Sequence, residues 1–76
     1  MNIKVLGGGC SRCETLLRSA KQAAANLGIE AEFEYITDMA RIAEYGIMGL
    51  PALVIDGKVV SAGKVLKGAE IEKFLK

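Results

Sequence analysis

The 76-residue sequence contains no histidine and no tryptophan, a single proline, and only two tyrosines and two phenylalanines. Without imidazole, every histidine-based acid–base pair, triad or metal site is excluded. Two cysteines are too few for the disulfide frameworks that hold small secreted domains together. Ten basic residues oppose nine acidic ones for a formal net charge of +1, and no long run of like charge occurs. The basic patch that nucleic acid or an anionic membrane requires is therefore missing. No segment approaches the roughly 20 apolar residues of a membrane helix, and the apolar start Met1–Leu6 is too short for a signal peptide. What remains is an ordinary globular composition, 51% hydrophobic and 25% charged. A chain of this length is expected to form one domain over residues 1–76, cytoplasmic and monomeric, with no membrane insertion.

Ile3, Val5 and Leu6 form a short apolar run ended by Gly7-Gly8-Gly9, which reads as a strand entering a turn. From Cys13, apolar residues at Leu16, Leu17, Ala20, Ala24 and Leu27 recur at helical spacing, predicting a helix from Ser11 to Leu27 stopped at Gly28. Ala31, Phe33 and Tyr35 alternate with Glu30, Glu32 and Glu34, the period of a strand with one wet face at or near a sheet edge. Thr37 or Asp38 caps a short helix through Met39, Ile42 and Ala43, closed by Gly46. Ala52-Leu53-Val54-Ile55 and Lys58-Val59-Val60 flank Asp56-Gly57, a strong signal for an antiparallel hairpin. Ile71, Phe74 and Leu75 after Gly68 are spaced as one face of a last helix. The order βαβαββα implies an α/β fold, with a parallel pair joined by a right-handed crossover and a hairpin added to the same sheet. Four strands in a mixed sheet, flanked by three helices, are expected.

The pair Cys10-Ser11-Arg12-Cys13 straddles the predicted helix start. Cys10 falls near the N-cap, where unpaired N–H groups and the helix dipole favour a thiolate, and Arg12 adds positive charge in the same loop. Cys13, one turn on and toward the apolar face, is within reach of Cys10 for a disulfide. Three readings are open: two inert buried thiols, a soft-metal site, or a dithiol that exchanges electrons, one thiol attacking and the other resolving. A closed zinc site needs four ligands, which one chain of this composition does not offer, whereas Cu(I) is satisfied by two thiolates. Small copper chaperones use such a loop, but place two consecutive strands after the first helix. Here one strand is followed by a capped helical segment at residues 37–46, so that pattern fails.

The stretch Tyr45-Gly46-Ile47-Met48-Gly49-Leu50-Pro51-Ala52-Leu53-Val54-Ile55, followed by Asp56-Gly57-Lys58-Val59-Val60, resembles the thioredoxin segment that carries a cis-proline and the hairpin after it. With Cys10-Ser11-Arg12-Cys13 behind the first strand, the whole chain resembles the small, glutaredoxin-sized thioredoxin-like redox proteins of bacteria and archaea. The resemblance implies a thioredoxin-like fold and thiol–disulfide oxidoreductase activity, with Cys10 attacking, Cys13 resolving, and a cis Leu50–Pro51 bond facing the cysteines. Arg12 would tune the thiolate, and Gly9, Met48, Leu50 and Pro51 would contact substrate, the Leu50 backbone pairing with an extended client peptide. The expected partners are a protein disulfide or thiol client and a reductase or low-molecular-weight thiol. No cofactor is expected. The alternative is a Cu(I)-type binding or transfer module using the same two sulfurs.

The chain also departs from the family pattern. The loop between the cysteines is Ser11-Arg12, without proline, and three glycines stand where an aromatic residue is common. Lys4 occupies the place of the buried acid of thioredoxins. Glutaredoxins hold glutathione partly through a Gly-Gly-Asp-like turn, and the nearest match, Ala62-Gly63-Lys64, lacks the acid. A polypeptide client is therefore favoured over glutathione alone.

Overall fold

A computed structural model describes residues 1–9, 11–47 and 49–75; Cys10, Met48 and Lys76 lie outside the described residues. The elements follow as β1 (Asn2–Leu6), α1 (Ser11–Asn26), β2 (Glu32–Ile36), α2 (Met39–Ala43), β3 (Ala52–Ile55), β4 (Lys58–Ala62) and α3 (Gly68–Leu75). Sheet order is β2-β1-β3-β4. Strand β1 pairs in parallel with β2, Val5 opposite Tyr35, and antiparallel with β3, Val5 opposite Leu53. This is the α/β thioredoxin-like arrangement, a mixed four-stranded sheet with three helices. The glutamate-rich strand β2 lies at an edge, in keeping with its alternation.

Local chemistry accounts for most boundaries. Helix α1 closes at Gly28 (φ +67°) with the paired bonds of a Schellman motif: Gly28 N–H donates to Ala25 O (3.1 Å) and Ile29 N–H to Ala24 O (2.9 Å). Asp38 caps α2, its carboxylate accepting from Ala40 N–H at 2.9 Å. The β3–β4 turn has Asp56 at φ +50° and Gly57 at φ +82°, the mirror-image turn that matches strand twist in a two-residue hairpin. Register shifts between Leu53 and Val54, so Val54 faces Val59 while Leu53 faces Ser61. Val60 is the extra residue, and pairing resumes at Ser61 and Ala62, so β4 runs two residues beyond the run Lys58–Val60 expected from sequence.

Alternation along the strands divides the apolar side chains between two faces. Ile3, Val5, Leu53 and Ile55 meet Leu16, Ala20, Ala23 and Ala24 of α1 and Ile71 and Leu75 of α3. The three alanines are small side chains buried on the face of α1 that meets the sheet. On the opposite face Leu6, Ile36, Ala52 and Val54 enclose Ile42 of α2. Phe74 departs from the expected face: it is 47% exposed, while Ile71 and Leu75 are buried. The short α3 has a buried stripe wide enough for these two alone, and Phe74 follows on the wet flank.

Candidate functional site

Cys13 stands in the first turn of α1, fully buried. Its position is set from two sides. Leu16 and Ala20 behind it are buried against β1 and β3, which fixes the roll of the helix. In front lies Gly7, buried just beyond β1, its N–H donating to Ile36 O at 3.0 Å. A Cβ on Gly7 would collide with Cys13 Sγ and come within 2.8 Å of Cys13 Cβ. The absence of a side chain at Gly7 is what lets the sulfur sit against the end of the central strand. Gly7, first of the glycine run read as a turn after the first strand, is buried and makes room for Cys13. Gly8 and Gly9 are exposed, Gly9 with φ +82°.

Tyr35 approaches from β2. Its Cε1 lies 3.7 Å from the point where the Gly7 Cβ would be, and its hydroxyl oxygen is buried. In the sequence Tyr35 counted only as an apolar position of an alternating strand. The signal that singles it out is a polar aromatic on the buried parity, at the strand end that faces the cysteine loop.

The Leu50–Pro51 peptide bond is cis. Pro51 is buried, and its carbonyl accepts from Gly63 N–H at 2.9 Å, continuing the β3–β4 ladder past Ala52. Gly49 lies so close to Gly63 that a Cβ on it would be 3.2 Å from Gly63 Cα. The segment before Pro51 and the turn after β4 therefore pack backbone to backbone. Half-buried Leu50 borders an open groove of about 420 Å³ with Met39, Ile42, Ala43, Ile47 and Gly49. Of the residues singled out in the sequence, Arg12 is exposed on α1. Cys10 and Met48 lie outside the described residues.

Lys4 is on the other face of β1 from Cys13. Its Nζ donates to Tyr45 Oη at 3.4 Å in a part-buried contact, beside a cleft of about 500 Å³ that Arg41, Glu44 and Gly57 also line. Glu34, opposite Lys4 in β2, pairs with Arg41 at 3.0 Å. Lys4 is thus half-buried against α2 and not a freely solvated side chain.

A family model described as a thioredoxin domain matches residues 1–76. The chain belongs to the thioredoxin family. It is 43% identical over 75 residues to a protein named thioredoxin from Methanothermobacter thermautotrophicus, covering 99% of this chain and 97% of the relative. Two proteins named thioredoxin from Methanocaldococcus jannaschii are 35% identical over 74 residues and 34% over 70, covering 85% and 82% of their own lengths. Among the described residues no helix is long and apolar enough to cross a membrane, and no group of three or more His, Cys, Asp or Glu side chains converges as for a metal ion.

Proposed function

We propose that this thioredoxin-family chain is a thiol–disulfide oxidoreductase that passes two electrons between the Cys10/Cys13 dithiol and a protein client, acting as a one-domain monomer in the cytoplasm. The observation that carries the reading is the placement of Cys13: buried in the first turn of α1, against Gly7, where a protected thiol serves as resolving group. Cys10, immediately before α1 in the sequence, is assigned the attacking role, its thiolate favoured by the N-terminus of the helix and by Arg12. In the reducing direction the Cys10 thiolate attacks one sulfur of the client disulfide, forming a mixed disulfide and expelling the first client thiolate. Cys13 gives its proton to water and its thiolate attacks the Cys10 sulfur. The Cys10–Cys13 bond forms, the Cys10–client bond breaks, and the second client thiolate leaves. A reductase or low-molecular-weight thiol then restores the dithiol.

The groove beside Leu50 and the edge at Leu50-Pro51 support an extended polypeptide client, with Leu50 main-chain groups available to an added strand and exposed Gly9 assigned a client contact. The test combines insulin reduction, a Cu(I) titration and a trap. The wild-type chain is expected to reduce insulin and Cys10→Ser to be inactive. Cys13→Ser is expected to accumulate mixed disulfides with proteins in a cell extract, beyond a Cys10→Ser/Cys13→Ser control. Absence of disulfide exchange together with tight stoichiometric Cu(I) binding overturns the reading in favour of a metal module. A trap holding only glutathione overturns the polypeptide client.

A further inference from the structure

Release of a mixed disulfide requires negative charge on the sulfur of Cys13, a fully buried side chain, and a charge developing in the interior is stabilised by polar groups aimed at it. The nearby carboxylates are turned elsewhere. Glu14 is exposed on α1, and Glu34 pairs with Arg41 on the face that carries α2. Lys4 is on that same face, bonded to Tyr45. Tyr35 is a polar side chain that shares the surface of Gly7 with the sulfur. Its Cε1 is 3.7 Å from the point that Cys13 Sγ crowds, and its hydroxyl, which follows Cε1 by way of Cζ, is buried. The register supports this pairing: Tyr35 is opposite Val5 in β1 and packs with the cluster under α1.

We infer that Tyr35 is a positioning residue for the second step, its hydroxyl donating a hydrogen bond to the Cys13 sulfur as that sulfur becomes a thiolate. The inference rests on the reaction given under Proposed function. The phenol acts only as a donor and is not consumed. The thiol proton of Cys13 goes to water, the Cys10–Cys13 bond forms as the Cys10–client bond breaks, and the client thiolate takes its proton from solvent. The phenol lowers the cost of the charge in between, because a hydrogen bond to an ionised acceptor is about twice as strong as a neutral one.

The experiment uses the reduced full-length chain and 5,5′-dithiobis(2-nitrobenzoate), which releases one coloured thiolate when Cys10 attacks and a second when Cys13 resolves. Tyr35→Phe, which keeps the ring, is expected to leave the first phase within about twofold and to slow the second about tenfold. Tyr35→Leu, which also deletes the ring, is expected to slow the second phase at least as much. An unchanged second phase in Tyr35→Phe overturns the inference, as does a slowing confined to Tyr35→Leu, which would assign Tyr35 a packing role. A wild-type chain that releases no first thiolate overturns the oxidoreductase reading itself, an outcome distinct from a failure of Tyr35.

Discussion

Replacing Gly7 by alanine probes the contact on which the candidate site is built. The added methyl would overlap Cys13 Sγ and lie 2.8 Å from Cys13 Cβ. Neither partner yields easily. The Gly7 N–H is tied to Ile36 O at 3.0 Å, and Cys13 is held by a helix whose Leu16 and Ala20 are in the core. Gly7 is not among the glycines with positive φ, so the penalty is crowding and not backbone strain. Overpacking of this kind costs about 1–3 kcal/mol, and the loss of glycine freedom in the unfolded chain returns about 0.4–1 kcal/mol. A net destabilisation of about 1–2 kcal/mol follows, equivalent to a fall in Tm on the order of 10 °C for a domain of this size. Urea denaturation, with a thiol reductant present to keep both cysteines reduced, measures it. In a Cys13→Ala background the sulfur is gone but the short Cβ contact remains, so the same change is expected to cost about half as much. Equal losses in both backgrounds, or no loss in either, refute the contact.

Three further outcomes test the fold and the site. Asp38→Ala removes the bond from Ala40 N–H and is expected to cost about 1 kcal/mol, read as a shifted urea midpoint at unchanged slope. Ile71→Ala, at a fully buried position, is expected to cost about 2–4 kcal/mol in the same assay, whereas Phe74→Ala, at a side chain 47% exposed, is expected to stay within about 0.5 kcal/mol. Cys13→Ser in the cell extract is expected to retain client proteins as mixed disulfides on a non-reducing gel, released by a thiol reductant.

The features legible in the sequence are those governed by residues close together in the chain. The cap at Asp38, the helix stop at Gly28 and the turn at Asp56-Gly57 each involve backbone groups only a few positions apart, so residue type and spacing specify them. The alternation of Phe33 and Tyr35 with glutamates marks a strand with one wet face, and β2 is at the sheet edge. The same logic misplaced Phe74, because helical spacing defines a stripe but its usable width depends on how closely the neighbouring α1 packs. The bulge at Leu53/Val54 has no local marker, since it arises from pairing with a strand across the hairpin.

At the candidate site the division is sharper. Cys10-Ser11-Arg12-Cys13 and Leu50-Pro51 stand out in the sequence because each is a compact motif. The meeting of Gly7, Cys13 and Tyr35 does not, because three elements supply it. It depends on the parallel register that sets Val5 beside Tyr35, and on the packing of α1 that turns Cys13 toward the end of β1. Lys4 shows the same dependence: its place in the chain suggested the neighbourhood of the cysteines, but strand parity sends its side chain to the opposite face, against Tyr45. Residue type and short-range spacing thus determined the elements, their order and the candidate cysteine pair. Which side chains surround Cys13 was decided only when strand register and helix packing brought distant residues to one face of the sheet.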